Sequence, residues 1–267
     1  MSKVNILSIQ IQPKIGYQQK NLQKIREFIE KYADTSLDLV VLPEFFNSGV
    51  SVPEFKKMAQ KQFNDEVVEY LGLLAKKHNT YILAGSIMEQ ENGRMYNTSR
   101  LLNRNGEQIS KYRKIHLFDS FGGTENEYCT AGDEIVVVQT DFGKVGISVC
   151  FDIRFPKHFL NLVKNGAELI LEPAAWCAPN ELVEQMQSQW VVLNRARAVE
   201  NLVYFVSSNL CGKVDSTFSA CGHSMIVSPD GEVLAEADNE ENAIFATIDL
   251  DYVRQLRSQF CMDKLVG

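Results

Sequence analysis

No apolar run in this 267-residue chain reaches membrane length. The longest, such as Leu39-Val40-Val41-Leu42, are strand-sized, and the start Met-Ser-Lys-Val-Asn-Ile-Leu lacks the apolar stretch of a secretion signal. A cytoplasmic protein that does not enter a membrane is expected. C-x-x-C pairs are missing too. The six cysteines (Cys129, Cys150, Cys177, Cys211, Cys221 and Cys261) are dispersed, which argues against a zinc knuckle, and without a secretion signal they do not read as a disulfide framework. Free thiols are expected. There is no run of Lys or Arg to offset a formal net charge of -7 and a pI near 5.3, so nucleic acid is not an expected partner. Linkers rich in Pro, Gly or Ser, internal repeats and low-complexity stretches are absent as well. With 45% hydrophobic and 23% charged residues, the chain reads as one domain over residues 1–267 with ample material for a core.

What is present alternates between two periodicities. Val4 to Gln10 alternates as a strand, and Gln19 to Tyr32 places Leu22, Ile25, Phe28, Ile29 and Tyr32 on one helical face. Leu37 to Leu42 is a short apolar strand, Val67, Val68, Leu71, Leu74 and Ala75 mark a second helix, and Tyr81 to Ile87 returns to strand. The first third therefore reads β-α-β-α-β. Hairpins are predicted around Arg104-Asn105-Gly106 and Asp141-Phe142-Gly143, a helix from Pro156 to Lys164, a strand at Leu169 to Leu171, and a helix from Glu184 to Val199. Strands at Val203 to Ser208, Ser224 to Ser228 and Glu232 to Ala237 follow. Mixed sheets covered by helices, most simply a layered α/β sandwich, fit this pattern.

Three polar residues stand where core strands end: Glu44 after Leu42-Pro43, Lys114 after Gln108 to Arg113, and Cys150 after Ser148-Val149. The carboxyl ends of strands in α/β sheets form the crevice where ligands bind. Each residue alone also has a plainer reading: a solvated loop acid, a solvated basic edge, a buried thiol. Cys150 is singled out by the turn and helix that follow it, an arrangement that exposes a nucleophile and aims backbone N–H groups at it.

Leu42-Pro43-Glu44-Phe45-Phe46, Lys111-Tyr112-Arg113-Lys114-Ile115-His116-Leu117 and Ser148-Val149-Cys150-Phe151-Asp152-Ile153-Arg154-Phe155-Pro156 resemble, in order, the three catalytic blocks of the nitrilase superfamily. Arg195 to Asn201 and the segments Gly222-His223-Ser224 and Ser228 to Glu232 extend the resemblance nearly end to end. It implies a four-layer α-β-β-α sandwich, a Glu44-Lys114-Cys150 triad and a homodimer. Cys-Phe-Asp-Ile-Arg-Phe-Pro is most similar to the branch of omega-amidases, which act on α-ketoglutaramate and similar dicarboxylic monoamides, and of deaminated-glutathione amidases. An N-carbamoyl amidohydrolase or a nitrilase on the same triad is the alternative. A non-enzymatic binding protein is disfavoured because all three triad residues are present.

The chemistry suits these residue types. Lys114 beside the thiol favours ionised Cys150, and Lys114 with the backbone N–H of Phe151 can hold the oxyanion. Glu44 takes the thiol proton, passes one to the departing nitrogen and activates the hydrolytic water. No metal or other cofactor is called for. In Thr124 to Gly132 either Glu125 or Glu127 can be the second glutamate that positions substrate in many family members, and Glu125 fits the family spacing better. Arg154 can bind a substrate carboxylate or pair with an acid to hold the turn. Trp176 is a candidate pocket wall. Catalysis by Cys150 with His116 or His223 lacks a papain-like signature, and no two histidines stand at metal-ligand spacing. Arg197 and Glu200 are expected to pair along a helix, and the sequon at Asn97 carries no meaning in a cytoplasmic protein.

Overall fold

The computed structural model describes residues 3–120 and 124–261. One sheet runs, in spatial order, β15 (Asn242–Asp249), β1 (Lys3–Gln10), β2 (Leu39–Val41), β3 (Tyr81–Glu91), β4 (Arg94–Leu102) and β5 (Gln108–Arg113). The other runs β14 (Val233–Glu236), β13 (Met225–Val227), β10 (Tyr204–Asn209), β8 (Leu169–Ala174), β7 (Lys144–Ile147) and β6 (Val136–Gln139). The two sheets share a plan. Each has three parallel strands at its centre, β1-β2-β3 and β7-β8-β10, flanked by antiparallel neighbours. Central parallel strands are covered on both faces, which is why β2 and β8 are buried throughout.

The sheets pack face to face, β1 against β10 and β3 against β8. Helices α1 (Gln18–Lys31) and α3 (Lys61–His78) cover the first sheet, and α4 (Pro156–Lys164) and α5 (Val183–Asn201) the second. This is the expected four-layer sandwich. Helix α1 buries Leu22, Ile25 and Ile29 at the predicted spacing. α2 (Val52–Met58), α6 (Leu250–Gln259), β15 and a small sheet of β9 (Cys177–Pro179), β12 (Phe218–Cys221) and β11 (Cys211–Lys213) were not anticipated. They are short, carry Pro, or alternate irregularly, and tertiary pairing rather than local pattern decides them. No helix among the described residues is long and apolar enough to cross a membrane.

Because β2, β5, β7 and β8 run out at one rim, the segments after them converge: Glu44, Lys114, Cys150 and Ala175-Trp176. Gly85 on β3 permits the tightest approach there. A Cβ at that position would lie 2.0 Å from the carbonyl oxygen of Pro43, so only glycine lets the Pro43-Glu44 segment lie against the strand.

Candidate active site

Glu44 is fixed from both sides. It bridges to Ser86 in parallel pairing, the N–H of Phe45 donates to the Ser86 carbonyl at 2.8 Å, and Phe45 then turns with φ +57°. Cys150, at φ +52°, occupies the left-handed region immediately after the strand end and opens the short helical turn Cys150–Arg154. A non-glycine residue held there marks a position the surroundings over-determine. Asp152 supplies much of that restraint: it accepts the N–H of Val149 (2.9 Å), the phenol of Tyr112 (2.6 Å), and both the N–H and Nδ1 of His116 (3.0 and 2.7 Å).

The predicted residues meet. Glu44, Lys114, Glu125 and Cys150, 1%, 2%, 4% and 6% exposed, sit in the wall of one cavity of about 380 Å³ that is otherwise largely apolar, with Phe45, Phe55, Tyr128 and Trp176 around it. The plainer readings of Glu44 and Lys114 as solvated charges are thereby corrected. Lys114 Nζ lies 3.2 Å from Glu44 Oε1 and 2.9 Å from Glu125 Oε2, and Phe118 N–H donates to Glu125 Oε2 at 2.7 Å. Glu125 is buried and Glu127 exposed, so only the first reaches the site.

Charge follows from this packing. Burial works against the Lys114 ammonium, but Glu125 and Glu44 more than offset it and hold Lys114 protonated, well above its ordinary range. Burial pushes the Cys150 thiol well up, Glu44 adds to this, and Lys114 only partly opposes it. The expected pull of Lys114 toward the ionised form is present, but burial and Glu44 outweigh it and favour the protonated thiol.

Other expectations are placed as follows. Trp176 lines the cavity, its Nε1 donating to the Met186 carbonyl. Phe151 and Arg154 are not among the lining residues: the Phe151 ring packs edge-on against Phe118 and Phe155, and the Arg154 guanidinium lies 4.9 Å over the Trp176 ring. Arg154 bonds Gln189 at 2.7 Å and makes no ion pair among the described residues, so the reading of it as an acid's partner is corrected there. Arg197 does pair with Glu200, at 2.7 Å. Neither His116 nor His223 lines the cavity; His223 bonds Gln187 and Glu236. His116 and His158, far apart in sequence, do meet at Asp152, all three offering ligand atoms within 4.8 Å of one another. Asp152 already accepts from Tyr112, Val149 and His116, so Asp152 and His116 act as hydrogen-bonded support behind the nucleophile, while neither ring nitrogen of His158 bonds Asp152. The residue that sequence reasoning missed is Asn97. Passed over as a sequon, it is buried and donates to both Glu44 and Glu125. Extending the predicted β4–β5 hairpin by one residue would have placed it beside Lys114.

The carbon-nitrogen hydrolase family model matches residues 6–258. The chain belongs to that family. It is 36% identical to the omega-amidase NIT2 of Xenopus tropicalis over 90% of this chain and 87% of the relative. A deaminated glutathione amidase of Dictyostelium discoideum is 34% identical, over 89% and 85% of the two chains. The crystal structure of Saccharomyces cerevisiae Nit3, a member of branch 10 of the nitrilase superfamily, superposes with a TM-score of 0.86 at 31% identity, covering 97% of this chain and 94% of that one. The expected amidase is borne out as an omega-amidase-like carbon-nitrogen hydrolase on the expected sandwich.

Proposed function

We propose that this carbon-nitrogen hydrolase converts a small dicarboxylic monoamide to acid and ammonia through a thioester on Cys150, with Glu44 as proton carrier and Lys114 as oxyanion partner. The observation that carries the reading is the buried contact set of Glu44, Lys114, Glu125 and Cys150 in one cavity. Glu44 removes the thiol proton as sulfur attacks the amide carbon, Lys114 and the N–H of Phe151 stabilise the oxygen that gains charge, and Glu125 keeps Lys114 charged and aimed. Trp176 forms a wall, and Arg154, outside the cavity lining but stacked on the Trp176 ring and without an acidic partner among the described residues, supplies a cation at that edge for the far carboxylate of the substrate. The omega-amidase and deaminated glutathione amidase relatives support that substrate class.

The activity resides in a single domain spanning residues 1–267, a reading supported by the extent of the family match. The enzyme works in the cytoplasm as a homodimer; Val192 and Val199, seven residues apart on α5, are 62% and 46% exposed and offer an apolar strip for a second copy. The test of function is ammonia release from α-ketoglutaramate, succinamate, glutamine, N-carbamoyl amino acids and simple nitriles, with Cys150→Ala as the blank. Turnover of the monoamides that vanishes in the variant is the expected result. Turnover confined to carbamoyl compounds or nitriles, or surviving in Cys150→Ala, would overturn it.

A further inference from the structure

Asn97 occupies the junction between the strand that carries Lys114 and the two glutamates. Its backbone carbonyl accepts the N–H of Lys114 at 2.9 Å, and its side chain, 1% exposed, turns into the site. Nδ2 lies 2.7 Å from Glu44 Oε1 and 3.0 Å from Glu125 Oε1. A primary amide nitrogen carries two hydrogens, so one side chain serves both carboxylates, one hydrogen to each.

The donors can be assigned oxygen by oxygen. Glu125 Oε1 accepts from Asn97, and Glu125 Oε2 from Lys114 and the N–H of Phe118. Glu44 Oε1 accepts from Asn97 and Lys114. A proton placed on any of these three oxygens would point at hydrogens already there or displace them. Glu44 Oε2 differs: its one hydrogen-bond donor among the described residues is the N–H of Ala175, at 2.7 Å, and both Ala175 and Glu44 act on the Cys150 thiol. Of the four carboxylate oxygens Glu44 Oε2 is thus the one left open to a proton.

We propose that Asn97 is a positioning residue that confines the mobile proton to Oε2 of Glu44 by pinning Oε1 of Glu44 and Oε1 of Glu125 with the two hydrogens of one amide. The inference rests on the triad reading given above. As the Cys150 sulfur bonds the amide carbon, the thiol proton passes to Glu44 Oε2 and the carbonyl π pair moves onto oxygen. When that pair returns, the C–N bond breaks, and the nitrogen leaves with the bonding pair and the proton from Oε2, as ammonia. Water then attacks the thioester, its proton goes to the same oxygen, and the departing sulfur takes that proton back. One oxygen serves every transfer, so no rearrangement of Glu44 intervenes between the two halves of the reaction.

The test uses Asn97→Ala and Asn97→Asp in the full chain, assayed on whichever amide the wild type turns over, with thermal unfolding followed in the same buffers. Asn97→Ala is expected to lower kcat about a hundredfold with KM within about threefold, because the loss lies in alignment of the proton carrier rather than in substrate binding. Asn97→Asp sets a third carboxylate against the other two and removes both donors. Protonating that carboxyl returns one donor, so the ratio of Asn97→Asp to wild-type kcat should rise as pH falls while the Asn97→Ala ratio stays flat. Asn97→Asp keeps the size of the side chain and carries the test where the truncated side chain does not fold. A folded Asn97→Ala within about threefold of wild-type kcat, or a pH-independent Asn97→Asp ratio, would overturn the inference. Turnover persisting in Cys150→Ala would instead overturn the triad reading beneath it.

Discussion

Tyr112 donates its phenolic hydrogen to Asp152 across 2.6 Å, and by that bond the strand leading to Lys114 is fastened to the turn that carries Cys150. Both residues are completely buried. Burial works against the Asp152 carboxylate, yet His116, His158, Tyr112 and the N–H of Val149 together hold its pKa below the ordinary value, so it stays charged. The Tyr112 phenol, buried and facing that charge, is held well above its usual range and remains a donor.

Tyr112→Phe keeps the ring and deletes the donor. A hydrogen bond to a buried charged group contributes about 1.5–3 kcal/mol, so the variant should lose that much stability in urea unfolding with its m-value unchanged. Asp152 keeps its three other donors, so the fold survives. Because the freed bond joins the Lys114 strand to the Cys150 turn, kcat should fall as well. A variant of wild-type kcat and stability would show that the two segments are aligned by other contacts.

Arg154 tests the substrate assignment. It touches neither Cys150 nor Glu44 through any hydrogen bond, and its contacts are Gln189 and the face of Trp176. Arg154→Ala should therefore act on binding of the carboxylate end of the amide. The loss of a charge-assisted hydrogen bond, about 1.5–3 kcal/mol, corresponds to an increase in KM of about ten- to a hundredfold for a dicarboxylic monoamide. For a neutral amide of similar length KM should change little. An equal effect on both substrates would assign Arg154 to holding the turn after the nucleophile.

The residues of this site differ in how readily the sequence betrays them. Glu44 and Cys150 each follow an apolar strand and Lys114 follows the mostly polar β5, so strand-end position marks all three. Asn92-Gly93, with φ +51° and +75°, is a sequence-visible turn that joins β3 to β4, and reading it would have carried β3 past Ile87. Asn97 escaped because its role depends on register across the β4–β5 hairpin and on a carboxylate more than fifty residues earlier in the chain. His116 and His158 escaped for a similar reason: their meeting is made by Asp152, which no spacing rule reveals. For Cys150 the sequence shows the neighbouring lysine but not the burial that outweighs it.

Glu172 is a completely buried carboxyl on β8 that the reaction does not use. Its partner is the hydroxyl of Ser148, and its Oε1 has no hydrogen-bonding partner among the described residues. Burial first, then the neighbouring Asp152 charge, raises its pKa well above the ordinary value, so it sits in the core as a neutral acid. The sign of the pH effect follows. Below the unfolded value of 4.5 both states are protonated and the neutral group costs nothing extra. As pH rises past 4.5 the unfolded chain releases its proton while the folded one keeps it, and stability is lost progressively up to the folded pKa. Glu172→Gln is neutral at every pH and similar in shape, so it escapes that loss. Its melting temperature should match wild type near pH 4 and exceed it increasingly toward pH 8, by about 2–4 °C for each kcal/mol recovered. Loss of stability in Glu172→Gln at pH 8 would mean that the carboxyl is ionised in the fold and held there by a charge partner.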